Sequence, residues 1–127
     1  MAYPGSGTVS YTVTVGAGGI FGQNSNGQDG TASSIVHPSL NSGTGIVASG
    51  GGYGSYSPGS DGGGGGSGGG GAYTSSNGGA TEASPDGLSP TTQGSAGGDG
   101  GNGGAGGGGA TAAGGDGSSP HLSLIHI

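Results

Sequence analysis

Residues 97–108 read GGDGGNGGAGGG, a run of triplets that each begin with two glycines, and residues 62–71 read GGGGGSGGGG. A three-residue repeat matches the polyproline-II helix, which has three residues per turn and rises about 3.1 Å per residue. A glycine version of that helix has no side chains to keep neighbours apart, so its backbone groups can hydrogen-bond laterally. We therefore expect packed polyglycine-II helices, in which one or both of the triplet glycines Gly103 and Gly104 face neighbouring rods.

Two other structures compete for these glycine runs. A flexible Gly/Ser linker has the same composition and stays open as the alternative to an ordered bundle. Collagen also has a triplet repeat, but it needs proline-rich positions between its glycines. The chain has only 6 prolines beside its 41 glycines, which excludes collagen.

Burial of side chains cannot hold the middle of this chain of 127 residues. Between residues 62 and 119, Leu88 is the single aliphatic residue larger than alanine. Buried apolar area contributes about 25 cal/mol per Å², and ordering a glycine costs more backbone entropy than ordering any other residue. Backbone hydrogen bonds must therefore order this region, if it is ordered.

The N-terminal part contains the strand signals. Residues 8–15, TVSYTVTV, alternate strictly between β-branched or aromatic apolar residues and polar residues, which predicts a half-buried strand. We expect the apolar face of that strand to contact a core. Two short apolar runs, 32–36 and 45–48, are also predicted strands, joined by a hairpin-like connection around Pro38. The apolar face of the first strand consists of Val9, Tyr11, Val13 and Val15.

These signals predict a mainly β and irregular fold without an α-helix. Short N-terminal strands form a β element over residues 1–49, and a polyglycine-II-like region follows over residues 50–120. The last six residues, LSLIHI, resemble the translation of a sequencing adapter. We interpret residues 121–127 as a non-native tail, with an ordinary short strand as the alternative.

Charge limits the partners of the chain. It has six acidic residues, no lysine or arginine, and a formal net charge of −6. Nucleic acid binding needs cations that neutralise phosphates, and anionic membranes attract polybasic patches, so neither partner is expected. No apolar run approaches the roughly 20 residues that span a bilayer, and the N-terminal MAYPGSG lacks the features of a signal peptide.

No constellation of residues predicts catalysis, a cofactor or a metal, so the chain is not expected to be an enzyme. His37 precedes Pro38 in a predicted loop and has no predicted nucleophile beside it. Residues 97–103, GGDGGNG, approach a calcium-binding nonapeptide, but Asn102 stands where the ligand aspartate belongs. Five aspartates instead precede glycines, as in Asp-Gly turns: Asp29, Asp61, Asp86, Asp99 and Asp116.

Tyrosines within the glycine field are the candidate contact residues. Tyr53, Tyr56 and Tyr73 are flanked by glycine, serine, alanine and threonine. Aromatic side chains supply contact area at low entropic cost, and they suit stacking against carbohydrate. The alternative is that they edge the strands or seal the glycine bundle.

Three stretches carry a family resemblance: YTVTVGAGG at 11–19, DGTASSIV at 29–36 and GIVASGGGYG at 45–54. With the glycine runs that follow, they resemble the glycine-rich domains of bacteriophage tail proteins. That resemblance covers about residues 8–117. It implies a structural or receptor-binding protein of the virion or an extracellular surface, with other virion chains or like chains and a host glycan or protein receptor as partners.

A filament-forming or ice-binding glycine-helix protein of the extracellular space is the alternative from another class. A regular, flat face of threonines would favour ice binding. The expected outward positions of the triplets make no such face. They are Asp99, Asn102, Ala105 and Gly108.

Overall fold

The computed structural model describes residues 8–56, 58–88 and 92–117. It contains a small antiparallel sheet of β1 (Thr12–Thr14), β2 (Ser33–Val36) and β3 (Ile46–Ala48), in the order β1-β2-β3. All three lie within stretches predicted to be strands, and no α-helix occurs in the described ranges. The fold is mainly β and irregular, as predicted. The tail at 121–127 lies outside the described residues.

A tight connection joins β2 to β3 and contains a single 3₁₀ turn, Asn41–Gly43. The carbonyl of Leu40 accepts hydrogen bonds from the amides of Gly43 and Gly45. Gly45 has a φ of +79°, and a Cβ there would lie 2.5 Å from the carbonyl oxygen of Ile35. Only glycine combines that backbone conformation with so close an approach, so Gly45 sets the entry into β3.

The expected burial of the first strand is wrong. β1 is shorter than the alternating stretch, and Val13 and Val15 are 64% and 83% exposed. Alternation predicts which side chains share a face, but a face is buried only if another element covers it. No described element packs over these valines. The other described segments are held together by backbone hydrogen bonds and not by packing of apolar side chains.

Along residues 62–71, the amides that donate hydrogen bonds recur at every third position, in two sets. The first set consists of the amides of Gly62, Gly65, Gly68 and Gly71, which donate in that order to the carbonyls of Asn77, Ala80, Ser95 and Gly98. The second set consists of the amides of Gly63, Gly66 and Gly69, which donate in that order to the carbonyls of Tyr53, Gly50 and Gly63. Within each pair of segments, donors three residues apart meet acceptors three residues apart (77 and 80, 95 and 98, 50 and 53), which is the register of helices with three residues per turn.

The same register links a series of extended segments into a laterally hydrogen-bonded bundle. For example, Gln28 and Thr31 donate to Ile20 and Ala17, and Gly114 and Gly117 donate to Ala96 and Asp99. Successive segments run in alternate directions along the chain. Their ranges are 17–20, 27–31, 50–55, 62–65, 67–71, 77–80, 95–100, 104–108 and 114–117. The lateral packing predicted for the triplets is therefore present, and it extends into the part of the chain before residue 50.

The centre of the bundle is glycine backbone. Residues 68–72 are all buried, and Ala72 is the buried apolar side chain among the described residues. Ser76, 1% exposed, donates its hydroxyl to the carbonyl of Ala72. Neighbouring segments approach so closely that a Cβ on Gly69 would lie 1.8 Å from the carbonyl oxygen of Tyr53. Hydrogen bonds between close backbones thus replace the side-chain packing of an ordinary core.

The triplet run at 97–108 is not one continuous rod. It bends at 101–103, where the amide of Gly101 donates to the carbonyl of Gly103. At the bend, a Cβ on Gly103 or Gly104 would meet no atom within 4 Å, so the expectation that one or both face neighbouring rods is wrong. Gly108 was expected to point outward, yet a Cβ there would lie 1.9 Å from Ser95.

Candidate functional site

Two of the predicted contact tyrosines line one open groove, with a volume of about 460 Å³. Tyr53 lies in segment 50–55 and Tyr56 directly follows it, whereas Ile20 ends the segment at 17–20 and Phe21 directly follows that one. Backbone and small polar side chains complete the wall. The groove therefore presents aromatic and aliphatic surface within a polar surround.

Tyr56 is held in place by the loop at residues 22–27. Its amide donates to the Oδ1 of Asn26 at 2.8 Å, and its hydroxyl donates to the Oδ1 of Asn24 at 3.1 Å. Asn24 has a φ of 60°, a left-handed conformation that asparagine tolerates better than most residues. The residue is 55% exposed while its hydroxyl is paired, so Tyr56 offers an ordered aromatic side chain to a ligand.

Tyr53 serves both the bundle and the groove. Its carbonyl accepts the amide of Gly63 at 2.8 Å, and its own amide donates to the Oδ1 of Asp29 at 2.8 Å. Its ring lies over Gly63, where an added Cβ would be 2.4 Å from the Cδ1 atom of Tyr53. The alternative role, sealing the bundle, is thus also visible at this residue.

Tyr73 is not part of the groove. It lies in the turn after segment 67–71, and it is exposed there. Conversely, Ile20 and Phe21 were not predicted as contact residues, although Phe21 is 84% exposed. Their signal in the sequence is an Ile-Phe pair, the latter the only phenylalanine in the chain, directly after the GAGG that ends the first strand signal.

Most carboxylates of the Asp-Gly pairs accept backbone amides from a neighbouring segment. Asp61 accepts the amide of Asn77, Asp99 accepts that of Gly78, and Asp116 accepts that of Asp99, at 2.7–2.9 Å. These acids therefore link adjacent segments. In the ranges that the structure describes, no group of acids and histidines is arranged to hold a metal ion.

Asp86 and Gln93 close the outer edge of β3. The Oδ2 of Asp86 accepts the amide of Val47 at 2.8 Å. Gln93 accepts the amide of Ser49 at 2.7 Å and donates to the carbonyl of Val47 at 2.7 Å. These side chains occupy the hydrogen-bonding positions that a further strand would use.

The surroundings of Asp86 lower the pKa of its carboxyl below the ordinary value of 3.8. The main cause is the hydrogen bond that the Ser84 hydroxyl donates to it, followed by the amides of Val47 and Leu88. These donors favour the ionised carboxylate because they stabilise its negative charge. Asp86 therefore holds β3 and the 84–88 turn together in its charged form.

We expect Asp86 to make the fold sensitive to acid. Because its pKa is lowered by folding, its contribution to stability is complete above the unfolded pKa and is lost as the pH falls through the lower folded value. The thermal midpoint of the unmodified chain should fall as the pH drops below about 4. Asp86→Asn should be less stable at pH 7, and the gap should narrow at pH 2.5.

The matched control is Glu82→Gln, which neutralises an exposed acid. It should leave the midpoint unchanged at pH 7, as measured by circular dichroism on thermal unfolding. A stability gap between Asp86→Asn and the unmodified chain that stays constant from pH 7 to pH 2.5 would contradict the assigned role.

The one histidine in the described residues is engaged in local structure. The Nδ1 atom of His37 accepts the amide of Ser39 at 3.0 Å. Its ring lies 4.9 Å from that of Tyr11. With Nδ1 occupied and an aromatic ring against it, His37 stabilises the end of β2. The groove around Tyr53 and Tyr56 therefore offers a ligand stacking and hydrogen bonding.

Comparison with known proteins gives one match. A family model described as a glycine-rich domain matches residues 3–124. No curated protein and no solved structure matches the chain. Among the described residues, none forms a helix of the length and apolar character needed to cross a membrane.

Proposed function

Since the chain belongs to the glycine-rich domain family, we propose that it is a non-enzymatic structural and receptor-binding protein of a phage tail. In this proposal the glycine bundle is the scaffold, and the groove around Tyr53 and Tyr56 contacts a glycan on the host surface. The protein acts at the virion surface, where it meets other virion chains or copies of itself.

The observation that carries the proposal is the ordered aromatic surface of the groove. Tyr56 is exposed, yet both its amide and its hydroxyl are fixed by asparagines of the neighbouring loop. A ring ordered before binding loses little entropy when a ligand stacks on it. Sugar rings offer an apolar face and a rim of hydroxyls, which suit the rings of the groove and its polar neighbours Ser25 and Gln28.

The phage tail setting rests on the resemblance of residues 8–117 to tail proteins, and charge is consistent with it. A chain with six acids and no lysine or arginine stays soluble at high local concentration and is repelled by nucleic acid. The exposed triplet residues Asp99 and Asn102 form no threonine array, so the triplet run does not favour the ice-binding alternative.

The test compares Tyr56→Ala with Tyr73→Ala. Both tyrosines are about half exposed, but only Tyr56 lines the groove. We expect Tyr56→Ala to weaken binding to glycans on a host-surface array, and to host cells, by about tenfold, as for the loss of a central aromatic contact. Tyr73→Ala should bind like the unmodified chain.

Binding that resists glycosidase treatment of the cells but is lost on protease treatment would identify a protein receptor instead of a glycan. Equal binding by Tyr56→Ala and the unmodified chain would remove the groove from the receptor site.

A further inference from the structure

We infer that the outer edge of β1 pairs with the β1 edge of a second copy of this chain. The two edges of the sheet differ. The β3 edge is closed by the side chains of Asp86 and Gln93. In the described ranges, no hydrogen bond from outside the sheet reaches residues 12–14 of β1.

β1 also lacks the devices by which proteins protect an exposed edge. Such edges usually carry a lysine, an inward-pointing charge, a proline or a bulge, or they lie beneath another element. Residues 8–16 contain no charged residue and no proline, and the pairing of β1 with β2 runs without a bulge. An uncovered edge of this composition is a template for another strand.

The side chains around this edge are apolar and uncovered. Val9, Tyr11, Val13 and Val15 are each more than half exposed. They follow one another at alternate positions, so they form one row. In the proposed pairing, the rows of the two copies lie side by side on one face of the joined sheet, and the apolar area buried between them contributes about 25 cal/mol per Å².

The pattern of residues 11–15 is self-complementary, which identifies the partner as a second copy. An antiparallel pairing of β1 with itself, centred on Val13, places Tyr11 opposite Val15 and Thr12 opposite Thr14. Pairs of an aromatic with a β-branched residue, and pairs of threonines, are favourable across antiparallel strands. Such a pairing is two-fold symmetric, the commonest symmetry of soluble oligomers.

Charge also favours this edge over the rest of the surface. Two copies with a formal net charge of −6 each repel one another, and neither has a lysine or arginine to offset the acids of its partner. Residues 1–28 contain no acid, so contact through β1 keeps the carboxylates of the two copies out of the interface. The dimer would join the two sheets into one across the symmetry axis.

The test uses cysteine cross-linking in the full chain, which has no cysteine of its own. In the proposed register, residue 13 of one copy lies opposite residue 13 of the other. Directly opposite Cα atoms in antiparallel strands are about 4.5–5.5 Å apart, which overlaps the range that disulfides span. We expect Val13→Cys to form a disulfide-linked dimer under mild oxidation, whereas Ile46→Cys, an exposed apolar position on β3, stays monomeric.

A second measurement uses no covalent bond. The unmodified chain should sediment as a dimer in analytical ultracentrifugation. Val13→Asp should weaken that dimer more than about tenfold, because it places two carboxylates opposite each other at the symmetry axis. At protein concentrations where the unmodified chain is also monomeric, its thermal unfolding should change little, because Val13 is already exposed within one copy.

Two outcomes would overturn the inference: a monomeric unmodified chain, or cross-linking of Ile46→Cys as efficient as that of Val13→Cys. If Val13→Asp fails to fold, the cysteine pair still decides the matter. This inference is independent of glycan binding, which Tyr56→Ala tests separately.

Discussion

Replacing Gly69 with alanine is expected to unfold the glycine bundle, although the change adds a single methyl group. The new Cβ would lie 1.8 Å from the carbonyl oxygen of Tyr53 and 2.9 Å from that of Gly52. Both are backbone atoms, so the clash cannot be relieved by rotating a side chain. Segments 67–71 and 50–55 would have to separate.

Separation would break the hydrogen bonds between these two segments. The amides of Gly52 and Ser55 donate to the carbonyls of Ser67 and Gly70, at 2.9 and 3.2 Å. Overpacking costs about 1–3 kcal/mol, and each buried polar group left unpaired costs a further ~1–3 kcal/mol. The sum is a large part of the roughly 5–15 kcal/mol by which native proteins are stable. We expect the thermal midpoint to fall by more than about 15 °C.

The matched control is Gly104→Ala, the same chemical change at a position with no atom within 4 Å of the added Cβ. It should leave the midpoint unchanged or raise it slightly, because alanine restricts the unfolded chain more than glycine does. Equal midpoints for the two variants, measured by circular dichroism or calorimetry, would mean that the segments are not packed as described.

Hydrogen exchange is expected to show strong protection along one line of glycine amides across the bundle. The amide of Gly63 donates to Tyr53, that of Gly69 to Gly63, that of Gly79 to Gly69, and that of Gly97 to Gly79. These bonds cross successive segments and polarise one another. Since their opening requires the segments to separate, they should exchange about 10³-fold or more slowly than a free amide.

Gly104 and Gly107 provide the internal comparison. Within the described part of the chain, neither amide donates a hydrogen bond, so both should exchange at rates near those of an unfolded peptide. Exchange measured by NMR at single-residue resolution separates the two groups. Uniformly fast exchange across 62–71 and 95–108 would indicate a flexible linker rather than a bundle.

The local backbone conformation of this protein could largely be predicted from its sequence. The GGx triplets predict helices with three residues per turn, because one triplet equals one turn of a polyproline-II helix even where its residues carry no side chains. The alternating and apolar runs predict β1, β2 and β3, and Gly45 falls at the position that needs a positive φ. These features depend on neighbours along the chain, so the sequence is sufficient for them.

The interior of the bundle could not be predicted in the same way. Gly69 and Gly104 are the same residue in nearly the same sequence context, yet one is packed against backbone and the other faces open space. In an ordinary core, apolar side chains indicate the inward positions. In a glycine bundle the inward position depends on where each segment bends, as at 101–103, and on which neighbour it then meets.

The groove around Tyr53 and Tyr56 likewise combines residues that the sequence predicted with an arrangement that only the tertiary structure decided. The sequence identified Tyr53 and Tyr56 as contact residues from their composition, but it grouped Tyr73 with them and omitted Phe21. The groove exists because segments 17–20 and 50–55 both pair with segment 27–31, through different residues of it. Likewise, alternation grouped the valines of β1 on one face, while tertiary packing left that face exposed. Periodicity along a chain specifies local geometry, whereas burial and grooves arise from contacts between segments distant in sequence.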